Sequence, residues 1–360
     1  MSSSNTHSLT RDCSSPNDEQ DSKITIESTL TTKSLSNWQL EYKTSITNIE
    51  QLCQTLGLNI EQLPISTQAN KQFQIRVPMS YVERMQQSNP NDPLLLQVLP
   101  TSHEEVHIEG YLKDPVGDLQ SIKTPGLLQK YNGRALLLAT SRCAIHCRYC
   151  FRRHFPYSAQ NPRHDNWTQA VHELQLDHSI TEVILSGGDP LVLDDLELAK
   201  LVSKLESIEH IQRLRIHTRL PVVIPNRIND ELLNWISNSR LKIIMVLHIN
   251  HAQEINTPLY TNLQKLKNIN CTLLNQSVLL QNINDQSSSL VNLSEALFNA
   301  GVLPYYLHLL DKVDGAAHFD VCKENARKLM REITKQLPGY LVPKLVMEIP
   351  GEQSKSLISY

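Results

Sequence analysis

The stretch Arg134-Ala-Leu-Leu-Leu-Ala-Thr-Ser-Arg-Cys-Ala-Ile-His-Cys-Arg-Tyr-Cys150 runs from an apolar segment of strand length straight into a loop with three cysteines. Cys143, Cys147 and Cys150 stand in a C-x3-C-x2-C spacing. Thiolates this close on a short loop can converge on one metal centre, and soft sulfur ligands select zinc, copper(I) or iron–sulfur clusters. A closed structural zinc site takes four protein ligands, and most four-iron clusters take four cysteines. The next cysteine, Cys271, lies far along the chain. Three thiolates serving alone would leave one iron of a cluster open to an exchangeable ligand, as catalytic zinc sites keep one position open. The alternatives are a zinc site completed by His146 or His154, or three unrelated thiols.

Working outward, the apolar run Ala135–Ala139 is the first of seven. The others are Glu182–Leu185, Leu214–Ile216, Lys242–Leu247, Thr272–Leu274, Tyr305–Leu310 and Leu341–Met347. Helical periodicity fills most of the gaps, as in Asp195-Leu-Glu-Leu-Ala-Lys-Leu-Val-Ser-Lys-Leu205, with an acidic cap candidate, and in Ser294-Glu-Ala-Leu-Phe-Asn-Ala-Gly301, with a glycine stop. Strand–helix repeats of roughly 30 residues predict a parallel sheet with outer helices. The runs end in chemically capable residues: Thr140-Ser141, Ser186-Gly-Gly-Asp-Pro190, His217-Thr-Arg219, His248-Ile-Asn250, Asn275-Gln-Ser277, His308 with Asp311, and Glu348. Function at many strand ends belongs to (β/α) barrels, whereas an open doubly wound sheet concentrates it at one switch point. The expected fold is α/β, a partial (β/α)6 TIM-like barrel open on one side.

Before the barrel, residues 1–35 read as a disordered tail rich in Ser, Thr, Asn and Asp. Residues 36–92 read as a helical extension serving as scaffold: Ile46, Ile49, Leu52 and Leu56 make one apolar face, and Val82-Glu-Arg-Met85 resumes a helix after Pro78. Residues 93–133, with Pro93, Pro100, Pro115 and Pro125, read as a connector. The barrel is expected over 134–348 and a C-terminal segment over 349–360.

Composition narrows the class. A net charge of −3 over 360 residues gives no footprint for nucleic acid. No apolar run of about 18 residues exists to span a membrane, and Met1-Ser-Ser-Ser-Asn-Thr-His7 lacks a secretory apolar stretch. Seven unevenly spaced cysteines do not form a disulfide framework. Cys13, Cys53, Cys271 and Cys322 read as bystanders. A reducing cytoplasm fits an oxygen-sensitive cluster.

The three-cysteine spacing with Tyr149 before the last cysteine resembles the motif of the radical S-adenosylmethionine (SAM) enzymes. The longer run Cys147-Arg-Tyr-Cys-Phe-Arg-Arg-His-Phe155 resembles the lysine 2,3-aminomutases. It is most similar to their short branch, which supplies β-lysine for modifying translation elongation factor P. The similarity runs from about Trp38 to about Lys355 and implies the same partial barrel. It implies a [4Fe–4S] cluster on Cys143, Cys147 and Cys150. It assigns SAM to Ser186, Gly187, Gly188 and Asp189 and to His248, Asn275 and Gln276. Lys355 would be the lysine that links to pyridoxal 5′-phosphate (PLP), in Glu348-Ile-Pro-Gly-Glu-Gln-Ser-Lys355. Lys130, Tyr131 and Arg134 would hold the PLP phosphate, with Lys130 where the larger enzymes carry arginine. Arg152 would take the substrate carboxylate, a task suited to its fork. Asp311 and Glu348 would take the side-chain ammonium, with Glu348 in place of an aspartate.

The activity so implied converts L-α-lysine to β-lysine through a 5′-deoxyadenosyl radical and PLP, fed by an external one-electron reductant. A separate ligase would attach the product to elongation factor P. Two other readings stand beside it: an aminomutase for another amino acid such as glutamate, and a non-catalytic iron–sulfur protein. The larger aminomutases continue past this lysine with a segment for oligomerisation and zinc, so the expectation here is no structural zinc and a monomer or dimer.

Overall fold

The computed structural model describes residues 35–160, 165 and 167–360. The expected disordered tail lies, but for Leu35, outside the described residues, as does Cys13.

Among the described residues, ten strands form one sheet whose spatial order follows the chain. They are β1 (Ile122–Thr124), β2 (Leu127–Tyr131), β3 (Arg134–Thr140), β4 (Glu182–Gly187), β5 (Arg213–Thr218), β6 (Lys242–Leu247), β7 (Thr272–Val278), β8 (Leu303–His308), β9 (Lys344–Met347) and β10 (Ser356–Leu357). β3 to β9 are mutually parallel. β2 and β10 flank them antiparallel, and β1 pairs antiparallel with β2. Helices follow six successive parallel strands: Thr168–Leu176, Asp195–Glu206, Asp230–Ser237, Thr257–Asn268, Ser287–Asn299 and Lys323–Gln336. Six strand–helix units and a seventh parallel strand thus make the expected open barrel.

Local chemistry sets the boundaries. β4 is apolar on both faces, Val183 and Leu185 being wholly buried and Ile184 nearly so, as a strand between helices and barrel interior requires. Asp194, one residue before the expected cap, accepts from Glu197 N at the start of its helix. The glycine stop at Gly301 falls two residues beyond the helix Ser287–Asn299.

Two expectations need correction. The connector is not free of structure: β1 and β2 lie in it, and Asn132-Gly133 turns β2 into β3, with Gly133 at φ +76°. Val82–Met85 does not resume a helix, because the short helix Met79–Val82 ends there. The N-terminal helices pack directly on the barrel. Leu52, Leu56, Ile75 and Val77 join Leu137, Val183 and Leu214 in one apolar core, and Phe73 reaches the barrel cavity.

Candidate active site

The carboxyl ends of the parallel strands open into a cavity of about 720 Å³. Cys143, Cys147 and Cys150 line it, as do Asp311 beyond β8, Glu348 just after β9 and Lys355 just before β10. Every residue singled out from the sequence borders this space except Asn275.

The cysteine loop is clamped from beneath. Gly188 N donates to Thr140 O at 2.7 Å and Asp189 N to Arg142 O at 2.8 Å. A side-chain carbon on Gly187 would overlap Thr140 O, and one on Gly188 would overlap Arg142 O. The glycine pair therefore has a local purpose, letting the end of β4 pass against the loop. Asp189 receives Leu191 N, Thr218 Oγ1, Arg219 N and Leu220 N, tying the ends of β4 and β5 together. Burial and the nearby Cys147 push the Cys150 thiol up to about 11, and burial with Cys150 pushes the Cys143 thiol well above its ordinary value. Thiols that raise one another favour a metal cation in place of their protons. His146 is committed to Gln74 O and His154 to Asp314 O. Among the described residues no three His, Cys, Asp or Glu side chains converge on one ion. A cluster that takes one sulfur per iron fits this loop.

A chain of polar bonds crosses the open side of the barrel. Lys355 Nζ lies 2.7 Å from Glu348 Oε2, and Tyr131 OH donates to Glu348 Oε1 at 2.5 Å. Lys130 Nζ is 3.6 Å from Glu348 and 2.7 Å from Asp118 Oδ1. Arg152 Nε donates to Asp118 Oδ2 at 2.6 Å and its Nη1 to Ser186 Oγ at 2.9 Å. Asp118 is nearly solvent-free. Burial alone would raise its carboxyl, but Arg152 and Lys130 outweigh that and hold it below its ordinary value. Sequence reasoning missed Asp118. It lies in Asp114-Pro-Val-Gly-Asp118, where a turn is the natural reading.

Of the cations expected to meet a phosphate, Lys130 is already paired. Arg134 stacks over the Tyr131 ring at 4.7 Å, and its Nε is buried with no hydrogen-bond partner. A guanidinium on the cavity wall with an unmatched buried nitrogen fits an anionic group such as the PLP phosphate. Asp311 faces the cavity with burial pushing its carboxyl up to about 7, so it fits an incoming cation.

The remaining walls are imidazoles and amides. His248 Nε2 lies 2.9 Å from Tyr149 OH, and burial followed by Arg219 pushes its pKa down to about 3. Gln276 Nε2 is 3.4 Å from His217 Nδ1. His217 and His308 also border the cavity, each with a buried, unpartnered Nε2. Neither was singled out as a site residue. Asn275 sits on the other face of β7, where Oδ1 accepts from Ile249 N and Nδ2 donates to Ile249 O, both at 3.0 Å. That correction follows from period-two alternation: Gln276 points inward, so Asn275 cannot. Arg219, quoted at a strand end but given no role there, places Nη1 2.7 Å from Cys147 Sγ.

Comparison with known proteins agrees with this geometry. Residues 137–273 match the Radical SAM superfamily. The chain is 48% identical over 329 residues to L-lysine 2,3-aminomutase of Escherichia coli, covering 91% of this chain and 96% of that one. It is 47% identical to the Buchnera aphidicola enzyme of that name, covering 90% and 95%. The Haemophilus influenzae enzyme of that name is 46% identical, with coverage of 89% and 95%. A three-thiol loop, a guanidinium with an unmatched nitrogen and a lysine facing two acids in one barrel mouth are thus matched by similarity along almost the whole length, and the chain belongs to the L-lysine 2,3-aminomutase family.

Proposed function

We propose that this chain is an isomerase that converts L-α-lysine to β-lysine, with a [4Fe–4S] cluster, SAM and PLP as cofactors. The observation that carries the proposal is one cavity bordered both by the three thiols and by Lys355, Glu348 and Asp311. SAM on the reduced cluster supplies a 5′-deoxyadenosyl radical, and PLP supplies the conjugated system that carries the amino group between neighbouring carbons.

The rest falls to the protein. Cys143, Cys147 and Cys150 would hold the cluster through their sulfurs. Lys355 anchors PLP, and Arg134 meets its phosphate, with Lys130 and Tyr131 beside it. Ser186, Gly187 and Gly188 edge the SAM methionine, with Asp189 fixing that turn, while His248 and Gln276 face its adenosyl part. Arg152 receives the substrate carboxylate through Nη2, its Nε and Nη1 being fixed by Asp118 and Ser186. Asp311 and Glu348 receive the ε-ammonium. Burial keeps the wall histidines neutral, so they donate or accept hydrogen bonds without adding charge. An external one-electron reductant is required.

The resemblance of Cys147–Phe155 to the short branch carries a further part of the proposal. The β-lysine serves a ligase that modifies translation elongation factor P, in the cytoplasm, and this chain works as a monomer or dimer. Among the described residues no helix is long and apolar enough to cross a membrane.

Product analysis tests the reaction. Protein reconstituted without oxygen is given SAM, PLP, a reductant and isotopically labelled lysine. Labelled β-lysine is expected, and none from Cys147→Ala or Lys355→Ala protein. Deoxyadenosine without β-lysine would overturn the substrate. Adding the elongation factor and ligase tests the downstream part: no transfer of the labelled product would remove it.

A further inference from the structure

Arg219 ends β5 and is nearly solvent-free. Nη1 lies 2.7 Å from Cys147 Sγ and 2.6 Å from Tyr149 OH. Nη2 lies 2.6 Å from Gln97 Oε1, 2.9 Å from Glu254 Oε2 and 3.0 Å from Tyr81 OH. Its backbone N donates to Asp189 Oδ2 at 2.7 Å. Both ends of the residue are therefore fixed, by partners from five segments.

The fork is divided by charge. The counter-ion Glu254 sits on Nη2, and the sulfur is approached by Nη1. Glu254 is itself saturated by Asn250 N and His251 N, at 2.9 and 3.1 Å. Other buried ion pairs, Arg148 with Glu104 and Arg227 with Asp195, brace the fold with no thiol among their hydrogen-bond partners. Bracing alone thus leaves the Nη1–sulfur contact unexplained.

Resting on the reading of Cys143, Cys147 and Cys150 as cluster ligands, we propose that Arg219 is a positioning residue that sets the cluster's reduction potential. It does so through a charged hydrogen bond to the Cys147 sulfur. Reduction adds one electron from an external one-electron reductant, takes up no proton and raises the cluster's negative charge by one. Part of that charge lies on the ligand sulfurs, so a fixed cation against one of them favours the reduced state. Tyr81 and Gln97 give the N-terminal helices a share in this setting.

The test is a redox titration of the reconstituted cluster, followed by electron paramagnetic resonance without SAM, with iron and sulfide counted per chain. Arg219→Gln protein is expected to load its cluster. At a given ambient potential its ratio of reduced to oxidised cluster is expected to be at least tenfold lower, about 59 mV for a one-electron couple. Arg219→Lys keeps the charge opposite Glu254 but loses the two-pronged reach, and its midpoint is expected between the two. A loaded variant of either kind that keeps the wild-type midpoint overturns the proposal. Wild-type protein that assembles no four-iron cluster overturns the underlying reading instead, and the iron count tells the two apart.

Discussion

The Lys355 ammonium rests 2.7 Å from Glu348 Oε2. Burial works to raise the Glu348 carboxyl, but the Lys355 charge, with bonds from Lys355 and Tyr131, holds it below the usual range. The acid expected to receive the ammonium of a substrate lysine already carries one from a protein lysine. Under the proposed assignment, Lys355 joined to PLP would withdraw that ammonium and leave Glu348 to the substrate. Lys355→Ala is therefore expected to abolish covalent retention of PLP. Borohydride reduction followed by peptide mass spectrometry should label wild-type protein at Lys355 and leave the variant unlabelled. Label at another lysine would refute the assignment.

Glu348→Gln keeps the shape of that acceptor and removes its charge. A hydrogen bond to a charged group contributes about 1.5–3 kcal/mol, so the KM for lysine should rise roughly ten- to a hundredfold. Steady-state rates against lysine concentration check this, and an unchanged KM counts against an ammonium at this carboxylate.

Asp311 gives a pH dependence with a definite sign. Burial raises it to about 7 in the substrate-free protein, and only the ionised form attracts an ammonium. Lysine affinity should fall as pH drops through about 7, and Asp311→Asn should flatten that acid limb. The shift also acts on stability. The folded state holds this proton more tightly than the unfolded chain, so the substrate-free protein should lose stability as pH rises from the ordinary carboxylate range through about 7. Chemical denaturation of wild type and Asp311→Asn across that range reads the difference.

Asp118 joins Arg152 to Lys130 with little access to water. Removing one member of a buried charged group costs about 3–5 kcal/mol. Asp118→Ala should lower the denaturation free energy by that order and raise the KM for lysine more than it lowers kcat. Equal stability of the variant would show that Arg152 finds its place unaided.

Asn275→Ala separates a brace from a SAM contact. The side chain ties the end of β6 to β7 through both Ile249 backbone groups. The variant should lose about 1–3 kcal/mol, the cost of leaving buried polar groups unpaired. Its SAM affinity, measured by equilibrium binding to the loaded protein, should stay within a few-fold of wild type.

The parallel strands were legible because each is a short apolar run with a polar, functional end, and that pattern survives in a single sequence. The three cysteines were legible because their ligands are contiguous. Asp118 and Arg219 were not, because their importance lies in partners far along the chain: Arg152, Lys130, Cys147, Gln97 and Glu254. β2 could have been found, since Leu127–Tyr131 and Arg134–Thr140 flank an Asn-Gly turn, a strong hairpin signal. The prolines around it hid the strand. Asn275 was misplaced because the strand end was read as a block, whereas alternation sends adjacent residues to opposite faces.

A closed barrel owes its girth to strand number and stagger, enforced by backbone bonds around the whole ring. Here β1 and β10 are separate edges. Side chains tie β2 to the end of β9 across the gap, Tyr131 and Lys130 both meeting Glu348. Such a seam is laced rather than welded. The charges that lace it are of the kind a zwitterionic guest brings with it, so the vessel's circumference and its contents are chemically negotiable through the same few atoms.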